Sequence, residues 1–279
     1  MLELGERTLI MGVLNVTPDS FSDTGKFFEP ENAVEHALEM ERAGADFVDI
    51  GGESTRPGSR GTPAQEELAR VLPVLEGLRG RLKIPVSIDT RKAEVAEAAI
   101  AAGAQIINDV SGLKNDPRLA EVAAHSGVAL MLMHMRGEPA TMQQGPFARD
   151  VIKDVTQGLR ASLTLARKAG VAKTQIILDP GIGFGKRFEQ NYELLRKLPE
   201  LAKLGYPLLV GTSRKGFTGA TLARDGKAAP PEERLWATAA TVTASILGGA
   251  HIVRVHDVAE MVQVARVADC ILACSKKPT

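Results

Sequence analysis

Cysteine, aromatic residues and net charge are all scarce in this chain. Its 279 residues include 2 cysteines and 4% aromatics, and 34 basic side chains balance 34 acidic ones. Zero formal net charge leaves none of the cationic excess that a phosphate-backbone binder needs, so nucleic acid is not an expected partner. No apolar run approaches the roughly 18 residues of a membrane span, and no charged-then-apolar leader opens the chain. A cytoplasmic protein without membrane contact or signal peptide is therefore expected. Cys270 and Cys274 fall one turn apart near the end of a helical pattern, with no further ligand cluster beside them. They read as two reduced, buried thiols. With aromatics so rare, the core implied by 44% apolar residues has to be built mainly from Ala, Val, Leu and Ile.

What is present is a repeating unit. A short apolar run, rich in β-branched residues, ends on a polar residue, and a helical pattern follows. Gln175-Ile176-Ile177-Leu178-Asp179-Pro180-Gly181 is the clearest case: a strand buried on both faces stops on a carboxylate, and Pro and Gly break it. Such runs recur at Thr8–Leu14, Asp46–Ile50, Pro85–Ile88, Gln105–Ile107, Val128–His134, Pro207–Val210 and His251–His256. Helical patterns separate them at about 32–43, 63–78, 117–125, 149–169, 192–203 and 231–247, with a further one through Val95–Ala102. A closing helix carries Val258, Met261, Val262, Ala265, Ala268 and Leu272 at i, i+3, i+4 spacing. Eight strands alternating with eight helices, with no linker between them, predict parallel pairing and one α/β domain over residues 1–279. A closed (β/α)8 TIM barrel fits best, with an open doubly wound sheet as the alternative.

In a barrel, active groups gather at the carboxyl ends of the strands. Asn15, Asp49, Asp89, Asn108, His134, Asp179, the segment from Ser213 to Lys215, and Arg254 with His256 all fall there. Asp109 and Asp257 read equally well as ordinary caps. Asp89 and Asp179 suit a ligand ring rich in N–H donors. Arg254 and His256, two apart on one strand, share a face and with Lys215 form a cationic corner for an anionic arm. His134 is as readily structural as catalytic.

Read as motifs, these residues resemble dihydropteroate synthases. The resemblance rests on Met11 to Asp23, Asp49 to Gly58, Ser87 to Thr90, Asn108 to Gly112, Leu132 to Met135, Leu178 to Lys186, Gly211 to Lys215 and Arg254 to Asp257. It implies a (β/α)8 enzyme, a cytoplasmic homodimer that is a target of sulfonamides. The reaction implied joins 6-hydroxymethyl-7,8-dihydropterin diphosphate to 4-aminobenzoate, releasing pyrophosphate with Mg2+. By motif, Asp89, Asn108, Met133, Asp179 and Lys215 are implied on the pterin side. Arg254 flanks the ring and, with His256 and Asn15, holds the diphosphate; Asn15 also helps to place the metal. Thr55 and Arg56 lie near both substrates, and Pro18, Phe21, Pro57, Phe184 and Ser213 help to form the aminobenzoate pocket. The resemblance implies that catalysis falls to Asp89, Asp179, Lys215 and Arg254.

The chain offers no Ser-His-Asp or Cys-His arrangement for covalent catalysis, consistent with the family's dissociative route through a pterin cation. One departure stands out, the polar stretch Arg224 to Ala229, which is long for the loop after the seventh strand. Two other classes remain to be separated from the synthase: a pterin-binding methyltransferase barrel acting with a corrinoid protein, and a non-catalytic binding protein on the same fold.

Overall fold

Each apolar run becomes a strand, and each amphipathic segment becomes a helix that returns the chain across the sheet. A computed structural model describes residues 4–17, 29–56, 58–59 and 61–275. The strands are β1 (Leu9–Asn15), β2 (Phe47–Gly51), β3 (Val86–Asp89), β4 (Ile106–Asp109), β5 (Ala129–Met133), β6 (Ile176–Asp179), β7 (Leu209–Val210) and β8 (Ile252–Val255). The helices are α1 (Pro30–Arg42), α2 (Ala64–Leu78), α3 (Ala93–Ala101), α4 (Arg118–Ser126), α5 (Val151–Lys168), α6 (Phe188–Arg196), α7 (Leu198–Ala202), α8 (Gly216–Thr221), α9 (Leu235–Leu247) and α10 (Val258–Ser275).

All strand pairs are parallel, in the order β6-β5-β4-β3-β2-β1-β8-β7. The two ends meet where Leu178 bridges Leu208 and its N–H donates to Pro207 O at 2.9 Å. That junction makes the sheet a (β/α)8 barrel and rules out the open doubly wound alternative, whose outer strands would stay unpaired.

Alternation along the strands divides the core in two. Ile10, Leu14, Val48, Ile50, Ile88 and Ile107 face the helices, whose buried residues such as Ala33, Val34, Ala37 and Met40 of α1 pack against them. Leu9, Met11, Phe47, Ile106, Met131, Ile177, Leu209 and Ile252 fill the barrel interior. Two residues beyond five of these plugs come Asp49, Asn108, Met133, Asp179 and Arg254, so the period of two sets the functional layer directly on the apolar one.

The helix expected over 192–203 starts earlier and breaks at Lys197, because Pro199 has no N–H to continue it. Another addition is α8, a short helix that the sequence did not announce. Leu235–Leu247 is preceded by a 3-10 turn, Pro231–Arg234. A correction concerns the two cysteines: Cys270 and Cys274 are exposed rather than buried. The face of α10 that packs inward carries Met261, Val262, Ala265 and Ala268, and 3.6-residue periodicity turns both thiols away from it.

Candidate active site

The strands end around a cleft of about 780 Å3. Asn15, Thr55, Arg56, Asp89, Phe184, Ser213, Lys215, Arg254 and His256 all line it. Asn108, Met133 and Asp179 are set deeper in the barrel and buried. Pro18, Phe21 and Pro57 lie outside the described residues.

Arg254 is the centre of the floor. Its Nε donates to Asp49 Oδ2 at 2.7 Å and its Nη2 to Asp89 Oδ2 at 3.0 Å. Asn108 Nδ2 donates to the same Asp49 oxygen at 2.9 Å. One guanidinium thus serves two carboxylates, and Asp49 Oδ1 is left buried without a partner. Burial, then the neighbouring Asp49 charge, pushes the Asp89 carboxyl up to about 8 against the pull of Arg254. Asp49 was recognised as a strand exit, but its part in anchoring Arg254 was missed. The signal was available, an acid inside an otherwise apolar five-residue strand.

Asp179 faces a second wall. Its Oδ1 accepts from the Gly181 N–H at 2.6 Å, and burial raises its pKa even with Lys215 and Lys186 nearby. Lys215 Nζ donates to Ile182 O and lies 4.6 Å from the centre of the Phe184 ring. Burial lowers this ammonium to about 8.

The loop after β6 lies hard against the end of β5. A Cβ at Gly181 would overlap the carbonyl of His134, and one at Gly185 that of Arg136, and both glycines have positive φ (66° each). Lys186, also unanticipated, fastens that loop: Nζ donates to Phe184 O at 2.9 Å and to His134 O at 3.2 Å, and lies 3.2 Å from His134 Nδ1. His134 is buried and pushed down to about 2 by burial and by Lys186. It is a neutral part of the scaffold here. Asp109 accepts from Ser111 N–H, Ser111 Oγ and Leu113 N–H at 2.6–2.8 Å and so ties the turn after β4; it does not cap the next helix, because α4 begins only at Arg118 behind Pro117. Asp257 stands at the N-terminus of α10, its carbonyl accepting from Met261 N–H at 3.0 Å, and its carboxylate pairs with Arg214.

The corner expected to be cationic is so only in part. His256 is driven down to about 3, first by burial and then by Arg254, so it meets a ligand as a neutral imidazole. Its Nδ1 lies 3.0 Å from Ser213 Oγ, which also accepts its backbone N–H at 3.2 Å. No group of three or more acidic, histidine or cysteine side chains is placed to hold a metal ion among the described residues. The protein alone therefore offers no metal cage there, but Asn15 at the cleft wall fits a magnesium ion held chiefly by water and ligand phosphates.

Comparison with known proteins agrees with this geometry. The family described as pterin binding enzyme matches residues 11–256. The chain is 50% identical to the dihydropteroate synthase of Synechocystis over 271 residues, 97% of this chain and 92% of that one. It superposes with TM-score 0.89 on Clostridium difficile dihydropteroate synthase crystallised with pteroic acid, at 46% identity, covering 97% of this chain and 99% of that one. With the Xanthomonas albilineans enzyme bound to 4-aminobenzoic acid the TM-score is 0.87 at 42% identity, covering 98% and 94%.

Proposed function

The chain belongs to the pterin-binding enzyme family, and we propose that within it the chain is a dihydropteroate synthase. It joins 6-hydroxymethyl-7,8-dihydropterin diphosphate to 4-aminobenzoate and releases pyrophosphate. The observation that carries this reading is one cleft with Arg254 and the buried carboxylates on its floor and His256 and Asn15 at its wall. Such a site takes a donor-rich ring and an anionic arm together.

Asp179 and Asn108 accept and donate along the edge of the ring, and Asp89 and Lys215 complete its surround. Arg254 leans over the ring and reaches the diphosphate, with His256 and Asn15 beside it. A bound magnesium ion would neutralise charge on the leaving pyrophosphate. When the C–O bond breaks, its electron pair departs with the pyrophosphate, and the buried carboxylates stabilise the cation left on the pterin methylene carbon. The aniline nitrogen then attacks that carbon, a C–N bond forms, and the nitrogen sheds one proton to solvent. Thr55, Arg56, Phe184 and Ser213 line the part of the cleft where the aminobenzoate approaches, together with Pro18, Phe21 and Pro57. A methyltransferase serving a corrinoid protein has no use for the diphosphate wall, so the synthase reading is preferred.

We assign the working unit as a homodimer in the cytoplasm. Supporting the dimer is an exposed apolar stripe on neighbouring α9 and α10: Trp236 is 80% exposed, Val267 63% and Ile271 50%. Among the described residues no helix is long and apolar enough to cross a membrane.

The test is pyrophosphate release measured with each substrate alone and with both, with and without a chelator. Release only when pterin diphosphate, 4-aminobenzoate and Mg2+ are all present is the expected result. Pterin diphosphate that binds tightly yet yields no aminobenzoate-dependent pyrophosphate would overturn the assignment.

A further inference from the structure

Between β7 and α8 the chain reverses at Ser213-Arg214-Lys215, and Arg214 sits at φ = 56°. A side chain bearing a Cβ is strained in the left-handed region and stays there only when its surroundings over-determine it. Three elements do so. The Arg214 N–H donates to Thr238 Oγ1 of α9 at 3.1 Å, its carbonyl accepts from Arg234 Nη1 at 2.7 Å, and its guanidinium pairs with Asp257 after β8. The residues on either side go to different partners. Ser213 Oγ meets His256, while Lys215 Nζ reaches Ile182 O beside Phe184.

The long polar stretch after the seventh strand is what brings Arg234 to this carbonyl. Arg224 and Lys227 exchange backbone hydrogen bonds of 3.0 and 2.9 Å around Asp225 and Gly226, both at positive φ (51° and 75°). This is the geometry of a tight two-residue hairpin turn. The Ala229 N–H then donates to Gly219 O at 3.0 Å, and Ala229 O accepts from Arg234 Nε at 2.8 Å. A Cβ at Gly219 would collide with the Arg234 guanidinium, so α8 itself leaves room for that side chain.

We propose that Arg234 is a positioning residue for the synthase reaction. Its guanidinium, with Thr238 and Asp257, clamps Arg214 in the left-handed conformation that sends Ser213 and Lys215 to separate walls of the cleft. The inference rests on the synthase reading and deepens it by giving the segment 224–234 a role.

The test separates clamping from direct contact with a substrate anion. Arg234→Ala is compared with two double variants that add Arg214→Gly or Arg214→Ala. Both doubles lose the Asp257 ion pair equally and differ only in tolerance of positive φ. Clamping predicts that Arg234→Ala lowers kcat/KM and weakens an uncharged pterin ligand as well, because Lys215 loses its place. It further predicts that the Gly double exceeds the Ala double by about 5- to 30-fold. Equal activity in the two doubles, or a loss confined to anionic ligands, would overturn the clamp. Should Arg234→Ala fail to fold in a thermal melt, the same Gly/Ala comparison is made in Thr238→Val, which removes the acceptor for the Arg214 N–H. No aminobenzoate-dependent pyrophosphate from the wild-type chain would overturn the synthase reading instead, and the clamp is then judged on pterin affinity alone.

Discussion

In the proposed site, the burial of Asp179 serves a ligand. In the ligand-free protein its carboxyl has one short backbone bond, from Gly181, and its pKa is raised because the charged form is desolvated. Asp179→Asn keeps an oxygen for Gly181 but sets an NH2 against the N–H edge of the pterin, donor against donor. Pterin affinity is expected to fall by roughly 30- to several-thousand-fold, about 2–5 kcal/mol, in a calorimetric titration. The ligand-free melt should hold or rise. A folded pKa above the unfolded one means that the native state keeps a proton the unfolded chain releases. The stability linked to that proton is complete below the ordinary carboxylate range and lost as pH rises through the folded pKa. The relative gain of the Asn variant should therefore appear above that range and vanish in acid. Unchanged pterin affinity with a lowered melt would make Asp179 a loop cap. At this scale the sequence was informative wherever a polar residue ended an apolar run, as at Asp89, Asn108 and Asp179. Arg234 was invisible, because it meets Arg214 only through a hairpin and a helix that lie between them.

The loop after β6 shows how much of an element's placement can fall to one side chain, beside the ties from Asp179 and Lys215. Lys186 has three donors and finds three acceptors, two carbonyls and the His134 ring, in a spot where only 3% of it is exposed. Lys186→Met fills the volume but leaves those acceptors dry, at roughly 1–3 kcal/mol for each that finds no water. We expect the melting temperature to drop by about 5 °C or more, with the KM for 4-aminobenzoate rising because Phe184 belongs to the same loop. A melt within a degree of wild type would show that the glycines and the bonds from Asp179 and Lys215 fix the loop without Lys186. Strands and long helices were legible because period 2 and period 3.6 survive in composition. The short α8 was not: its sequence Gly-Phe-Thr-Gly-Ala-Thr is poor in helix formers, and tertiary packing decides it. Nor was the α6/α7 break, where the apolar pattern runs on past Pro199.

At the scale of the molecule, the apolar stripe on α9 and α10 has consequences for assembly. Trp236, Ala240, Ala244 and Leu247 recur along one exposed face of α9, and Val267, Cys270, Ile271 and Cys274 along α10. Substituting Trp236→Glu places a charge at the most exposed of the large apolar side chains on the surface proposed to pair. The expected outcome is a shift from dimer to monomer in sedimentation velocity, with the wild-type thermal melt largely retained. A wild-type chain that sediments as a monomer at micromolar concentration would remove the dimer. The cysteines were misjudged for a simple reason: composition reports how often thiols are buried, whereas the phase of the helix decides whether these two are.

The junction that makes the sheet a barrel is also its thinnest seam. β7 contributes two residues, and β6 is tied to that side by the Leu178–Leu208 bridge and the bond to Pro207. Asp179 stands on one lip of this seam and Lys215 beyond the other. A pterin bound as proposed, between the two, would be a rivet through the hoop. In hydrogen–deuterium exchange the amide of Leu178 and its neighbours along the seam should open faster than those of β1 and β2 in the free enzyme. Ligand should slow them disproportionately, so that part of the binding energy goes into keeping the barrel shut.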